Sequence, residues 1–274
     1  MFATASKRVL PGFGLSLGST LFYTCLILLL PMSALVVQLS EMSWAQYWAV
    51  ITHPQIVAAY KVTLLSAGVA SIFNAIFGML LAWIITRYRF PGRKFLDGLM
   101  DLPFALPTAV AGLTLATLFS TQGWYGLVLD KFDIKVINTW IGIAVAMSFT
   151  SLPFVVRTVQ PVLEELGPEY EEAAETLGAN RWQTFRKVVL PELSPALLAG
   201  TALSFTRSLG EFGAVSVVSG AIRGETYSLP LQVELLHQDY NTVGAFTAAA
   251  LLAMMAIITL MVKSALQWHL ERQQ

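Results

Sequence analysis

Five stretches of this chain, residues 9–40, 62–86, 102–129, 136–156 and 240–262, contain no Asp, Glu, Lys or Arg, and each is longer than twenty residues. About twenty apolar residues in a helix cross the hydrocarbon core of a bilayer, where only a helix or a closed barrel satisfies its own backbone. Barrel strands alternate in hydrophobicity with period two, whereas these runs are continuous, so they read as helices. A sixth run, 193–222, is interrupted only by Arg207 and Glu211. The chain therefore reads as an all-α polytopic membrane protein whose only surroundings over much of its length are lipid. Six spans are expected, near 13–37, 62–86, 101–120, 138–157, 198–219 and 243–263. The uncharged stretch 42–60 is too polar to be a seventh, with Gln46, Thr52, His53, Pro54 and Gln55. Its Trp44, Tyr47 and Trp48 suit the headgroup region and place it in the interface.

Charge makes up 12% of the 274 residues, and 17 basic residues balance 17 acidic ones. A soluble domain spends about a quarter of its residues on charge. The balance excludes a disordered chain and a nucleic-acid binder and argues against a soluble enzyme. Cys25 is the only cysteine, so no disulfide framework forms within the chain. No metal-ligand spacing is present.

Placement of the few basic residues gives the orientation. With the N-terminus inside, the cytoplasmic segments carry Lys7, Arg8, Arg87, Arg89, Arg93, Lys94, Arg157, Arg181, Arg186, Lys187, Lys263 and Arg272. The outer side carries Lys61, Lys131, Lys135 and Arg223. Twelve against four, with Arg207 inside a span, predicts that both termini are cytoplasmic. Lys7-Arg8 before an apolar run also has the look of a signal peptide, but the run is too long for one and no small-x-small site closes it.

The longest interior connection, 158–197, has its own helical grammar. Gly167-Pro168 opens a helix, with Pro at its first position. Glu169, Glu171 and Glu172 occupy the first turn, where the helix dipole favours anions. Tyr170, Ala173, Ala174 and Leu177 fall on one face, and Gly178 stops the helix where a left-handed residue is needed. Asn180 and Gln183 form a capping-box pair for a second short helix with Trp182, Phe185, Val188 and Val189 on its apolar side and Pro191 at its end. Adjacent alanines let another backbone approach closely, which suits docking more than anchoring.

These residues carry a resemblance. Glu172-Ala173-Ala174, three residues, Gly178, nine residues, Val188, one residue and Leu190-Pro191 resemble the EAA motif of bacterial ABC-importer permeases, E-A-A-x3-G-x9-I-x-L-P, with Val188 in place of Ile. Residues 101–112, DLPFALPTAVAG, and 208–215, SLGEFGAV, are similar to the sulfate/molybdate branch, and the first of them most of all to its T-type (U-type) sulfate/thiosulfate permeases. In that family the motif forms a coupling helix seated in a groove on a separate ATP-binding subunit. The resemblance implies two copies of the ATP-binding subunit, a second related permease, and a periplasmic oxyanion-binding protein, in the bacterial inner membrane. It leaves molybdate, tungstate or another oxyanion as the alternative cargo.

No G-x-x-x-x-G-K-[ST] occurs, so no P-loop can form; no cofactor belongs to this chain, and ATP would sit on partner subunits. Six spans fit half of a translocation pathway, the other half coming from a related chain. A second, enzymatic reading starts from Gly14-Leu-Ser-Leu-Gly18, which matches the G-x-S-x-G pattern of serine hydrolases. An intramembrane protease would need a histidine base near Ser16, and His53, His237 and His269 fall in outer loops or the tail. Gly14-x-x-x-Gly18 reads more simply as a helix-packing face, and no catalytic residue is assigned.

Arg207 and Glu211 stand four apart in span five. A charge in mid-bilayer costs on the order of 3 kcal/mol, so it faces a partner or water. The pair is either a structural ion pair or the lining of a route in which Arg207 attracts a passing oxyanion and Glu211 prevents its capture. Pro103 and Pro107 in span three and Pro153 in span four each remove a helix hydrogen bond and are candidate gating bends. Asn74 in span two is expected to bond a neighbouring helix.

Overall fold

The computed structural model describes residues 13–271, all of it helix, turn and loop. Lys7, Arg8 and Arg272, which enter the charge count above, lie outside the described residues. The chain divides into two compact units, Met1–Ala49 and Val50–Gln274.

In the first unit, helix α1 (Phe13–Thr24) runs through a π-helical turn (Cys25–Leu29) into α2 (Leu30–Ser40). The helix bends by 45° around residue 31, where proline brings no backbone N–H. None of the residues of α1 or the π turn is buried, and an added Cβ at Gly14 or Gly18 would meet nothing within 4 Å. Among the described residues of its unit the Gly14-x-x-x-Gly18 face therefore packs on no neighbour. Helix α3 (Trp44–Ile51) starts with Ser43 and Gln46 capping each other, and Trp44 stacks on Tyr47 and Trp48 with centroids 5.6 and 6.3 Å apart.

The second unit opens with α4 (Pro54–Arg87). It continues through α5 (Arg93–Leu99), α6 (Leu102–Ala105), α7 (Thr108–Phe119), α8 (Gly126–Leu129) and α9 (Trp140–Leu166). Then come α10 (Glu169–Thr176), α11 (Arg181–Thr184), a second π turn (Phe185–Val189), α12 (Leu190–Leu209), α13 (Gly213–Val218), α14 (Leu229–Gln238) and α15 (Thr242–Glu271). Among the described residues four helices are long and apolar enough to cross a membrane: Pro54–Arg87, Trp140–Leu166, Arg181–Leu209 and Thr242–Leu266. The bent N-terminal pair would make a fifth. The expected second, fourth and sixth spans fall on α4, α9 and α15 and the first on the bent pair, whereas the helix Arg181–Leu209 covers only 198–209 of the expected fifth span, the remainder lying in a break at Gly210 and in α13.

The third expected span is not one helix. Proline forces the residue before it towards extended backbone, and Leu106, before Pro107, has φ −85° and ψ 136°. Helix α6 ends there, and α7 restarts with only 12 residues, about 18 Å at 1.5 Å per residue. Pro103 sits in the first turn of α6 and Pro107 caps α7, so both mark segment ends instead of bending a continuous helix. Pro153, by contrast, lies inside α9, which runs through it without a break.

Two further expectations change. Residues 54–60 belong to α4, so the interfacial segment shrinks to α3 and its flanks. Pro191 does not end a helix. It falls in the first turn of α12 directly after the π turn, and the helix runs from Arg181 to Leu209. An extra residue per turn removes the register in which the ring would clash with the preceding carbonyl.

The core is the contact of α4, α9 and α12. Ala82, Val155, Val156, Val159, Leu163, Val189 and Leu193 are fully buried together. Small residues bring the backbones close: a Cβ on Gly78 of α4 would stand 2.9 Å from Val155 Cβ, and one on Gly200 of α12 would stand 3.0 Å from Val155 Cα. Close approach through small residues is how helices associate where lipid removes the hydrophobic drive. A polar knot lies in the same interface. The Asn74 amide donates to Ser148 O, Ser151 Oγ and Ser204 Oγ at 3.1, 2.9 and 3.1 Å, and Ser204 and Ser208 both donate to Ser151 at 3.0 Å. Asn74 thus bonds neighbouring helices, as expected.

Candidate functional site

Helix α9 ends at Gly167, whose φ of +66° turns the chain away from the bundle, and α10 follows at once. Pro168 is its N-cap, one place earlier than expected, and Glu169, Glu171 and Glu172 fill the first turn. Gly178 has φ +84°; its N–H donates to Glu175 O at 2.9 Å while Ala179 N–H donates to Ala174 O at 3.0 Å. That pair of bonds is the Schellman termination, which needs a left-handed residue. The Asn180–Gln183 capping box forms in both directions, at 2.9 Å each.

The expected apolar face splits in two. Ala174 is 8% exposed and packs inward, whereas Tyr170 and Leu177 are 53% and 88% exposed, and Ala173 and Glu172 are exposed as well. The bundle covers one side of the helix and leaves Tyr170, Glu172, Ala173 and Leu177 outside. Leu190 and Pro191 stand apart from this surface, at the start of α12 beneath the core, next to buried Val189 and Leu193.

Two arginines tie this end of the molecule together, and both are invisible to short-range motif reading. Arg87, the last residue of α4, donates from Nε to Glu171 Oε1 at 2.8 Å and from Nη2 to Gly167 O at 3.0 Å, with its guanidinium 5.8 Å from the Trp83 ring centroid. Arg157 on α9 donates to both carboxylate oxygens of Asp101 (2.9 and 2.7 Å), to Asp97 Oδ1 (2.6 Å), to Asp97 O (2.9 Å) and to Gln160 Oε1 (2.8 Å). It thereby fixes the turn that holds α5 and leads into α6. The available signal was position: each arginine is the first charge after a long uncharged run.

Arg207 and Glu211 do meet: Nη1 lies 2.7 Å from Oε2. Glu211 is not on a continuous helix, however. Helix α12 stops at Leu209, Gly210 to Phe212 form a break, and α13 begins at Gly213. There the Glu211 carboxylate, 1% exposed, accepts the Ala214 N–H at 3.0 Å, capping α13. Arg207 keeps 34% of its side chain exposed.

This break adjoins the one in span three. A Cβ on Gly213 would strike the Thr108 hydroxyl and stand 3.1 Å from Ala109 N, and one on Gly112 would stand 2.7 Å from Ala214 O. Helices α7 and α13 therefore pack backbone to backbone, which brings the start of α7 against Gly213, two residues after the buried Glu211. Pro107 directly precedes this contact; Pro103 lies one helical segment away, and Pro153 belongs to a different helix.

No group of three or more His, Cys, Asp or Glu that could hold a metal exists among the described residues. What the architecture offers is a membrane bundle with two adjoining helix breaks and a short helix with an exposed face at one end. Residues 74–272 match the family of binding-protein-dependent transport system inner membrane components, and the chain belongs to that family. It is a transport component of the membrane and not the ATPase, which also sets aside the protease reading of Ser16. Over 266 residues the chain is 71% identical to the sulfate transport system permease protein CysT of Escherichia coli (strain K12), covering 95% of this chain and 96% of that one. It is 47% identical over 258 residues to the sulfate transport system permease protein CysW of the same organism, covering 94% and 89%.

Two solved structures share the fold. A bacterial ABC transporter involved in importing the acidic polysaccharide alginate superposes with TM-score 0.74 at 19% identity, over 93% of this chain and 94% of that one. The MetNI methionine ABC transporter, in inward-facing conformations, gives 0.58 at 18% identity over 84% and 99%.

Proposed function

We propose that this chain is the permease subunit that forms half of the translocation pathway of an ATP-driven sulfate and thiosulfate importer. The observation that carries the reading is the identity with CysT along nearly the whole of both chains. Residues 1–274 form a single transmembrane domain with six spans and both termini cytoplasmic; the third span is made of α6 and α7, and the first of α1 and α2. Its partners are a second related permease of the CysW kind, two copies of an ATP-binding subunit, and a periplasmic oxyanion-binding protein. The alginate importer solved with its substrate-bound periplasmic protein supports that last partner.

Residues 158–197 are the coupling loop. Glu172 and Ala173 project from α10 toward the ATPase groove, Ala174 seats the helix on the bundle, and Gly178 ends it. Leu190 and Pro191 launch α12, so that motion of the loop enters a span directly. ATP, held by the partner subunits, closes the ATPase pair, draws both coupling helices together and turns the pathway outward.

Arg207 and Glu211 line the route. The start of α7 and the Arg207 guanidinium favour an anion, since the first turn of a helix carries partial positive charge. Glu211 offsets that attraction so that sulfate passes without being held. Pro107 keeps the break open by denying the helix a hydrogen bond, with Pro103 and Pro153 as the accompanying flexible points.

The test is uptake of radiolabelled sulfate into vesicles holding the chain with its two kinds of partner subunit and the loaded binding protein. ATP-dependent sulfate uptake, competed by thiosulfate, is expected. Uptake of molybdate in preference to sulfate would replace the substrate assignment.

A further inference from the structure

The coupling helix has to be attached to a span if its movement is to reach the pathway. Its C-terminal attachment is covalent and stiff, through the capping box and the continuous helix from Arg181 to Leu209. At its N-terminus the covalent link is Gly167, with φ +66° and ψ 163°, a conformation that makes a hinge more readily than a rod. The Arg87 contacts bypass that hinge. One guanidinium on α4 holds two groups on its α10 side, the Gly167 carbonyl, which lies beyond both rotatable bonds of Gly167, and the Glu171 carboxylate in the first turn of α10, at 3.0 and 2.8 Å.

Arg87 is itself well placed to bear load. It closes α4, the longest helix, and its guanidinium is braced against Trp83, one turn back on the same helix. Trp83 in turn packs edge-on against Phe185 in the π turn, with centroids 5.9 Å apart. The side chains of Arg87 and Glu171 are 14% and 25% exposed, so water screens the pair less than it screens a surface ion pair. The carboxylates of α10 divide accordingly: Glu171 faces the bundle while Glu172 is exposed beside it.

We infer that Arg87 is a positioning residue for transport, a strut that makes the first turn of α10 move as one body with α4. The inference rests on the coupling reading of α10. Without the strut, ATP-driven displacement of α10 is absorbed at Gly167 and α4 lags behind. Arg87 touches neither the transported anion nor the nucleotide, so its loss separates hydrolysis from uptake and leaves chemistry on the ATPase intact.

The experiment uses the complete complex in vesicles and reads three quantities: retention of the ATP-binding subunits, ATP hydrolysis, and sulfate uptake per ATP. Arg87→Ala is expected to retain the ATPase and hydrolyse ATP while uptake per ATP falls at least tenfold. Glu171→Gln, which cuts only the ion pair and keeps the Gly167 bond, is expected to lose two- to fivefold, and Arg87→Lys to recover part of the Arg87→Ala loss. Wild-type uptake per ATP in Arg87→Ala overturns the inference. If Arg87→Ala does not assemble, the isosteric Glu171→Gln decides, and an unchanged ratio there overturns it equally. Gly178→Val is the parallel control. If it too leaves uptake per ATP and ATPase retention untouched, the coupling role of α10 fails; if it uncouples while the Arg87 and Glu171 variants do not, only the strut fails.

Discussion

Gly178 allows the coupling reading to be tested by backbone strain alone. A Cβ at this position would meet nothing within 4 Å, so no substitution clashes. What remains is φ +84°, which costs a residue with a side chain on the order of 1–2 kcal/mol, with Asn and Asp at the low end. Replacing Gly also narrows the unfolded ensemble, a gain of about 0.4–1 kcal/mol that offsets part of the cost. Gly178→Asn should therefore be nearly neutral and Gly178→Ala should cost about 0.5–1 kcal/mol; Gly178→Val, β-branched, should cost about 2 kcal/mol. At 1.4 kcal/mol per factor of ten, the valine variant opens the end of α10 about thirty times more often.

Hydrogen exchange reads that opening directly, because the amides of residues 178 and 179 donate to Glu175 O and Ala174 O. Exchange should accelerate in the order Asn, Ala, Val, and uptake per ATP should fall in the same order while hydrolysis continues. Equal exchange in the Asn and Val variants would refute the strain argument. Faster exchange with undiminished uptake would refute the coupling role. Comparing Gly178→Asp with Gly178→Asn, alike in backbone tolerance, isolates the effect of one more negative charge beside the six glutamates of residues 164–175.

Gly112→Val should block transport and destabilise the chain by about 1–3 kcal/mol in detergent melts, because its Cβ would press on the backbone of α13. Gly68→Val, where an added Cβ meets nothing within 4 Å, should leave both measurements near wild type. Arg207→Ala strands the buried Glu211 carboxylate, at a cost of about 1–3 kcal/mol, below that of a fully buried pair because a third of Arg207 is exposed. The double change Arg207→Met with Glu211→Gln removes that penalty. It should assemble normally yet take up sulfate poorly, and normal uptake would make the pair purely structural. Arg157→Lys keeps the positive charge but not the five-donor fork that grips Asp97 and Asp101. Orientation in accessibility mapping should be unchanged, whereas the melting temperature and uptake should both drop.

The long helices were legible because a run without charge longer than twenty residues has few alternatives in a bilayer. The same criterion missed the break in span three. Hydropathy registers side chains, whereas α6 and α7 are parted by the backbone restriction that Pro107 imposes on Leu106. Pro191 misled in the opposite direction: read as a stop, it is accommodated by the π turn before it. In the loop, capping residues and Gly178 act within a few positions, and these local features formed as read. The burial of Ala174 alone among its apolar neighbours depends on what the rest of the bundle covers, which no local pattern encodes. Arg87 and Glu171 are 84 positions apart, and their contact follows only from how α4 and α9 end side by side.

The tie residues also alter what the charge asymmetry means. Basic residues beside the spans orient a membrane protein by number, and for that purpose Arg87 and Arg157 are interchangeable with any lysine nearby. Their geometry is specific to arginine. Each donates along more than one direction of a planar fork, to partners on two different segments, and the partners include backbone carbonyls that only a correctly folded turn presents. In a chain with 12% charged residues, some of the few charges at the span ends thus hold one end of the bundle together. Asp97, Asp101 and Glu171 stand where the two arginines need carboxylates, three negative charges against two positive ones.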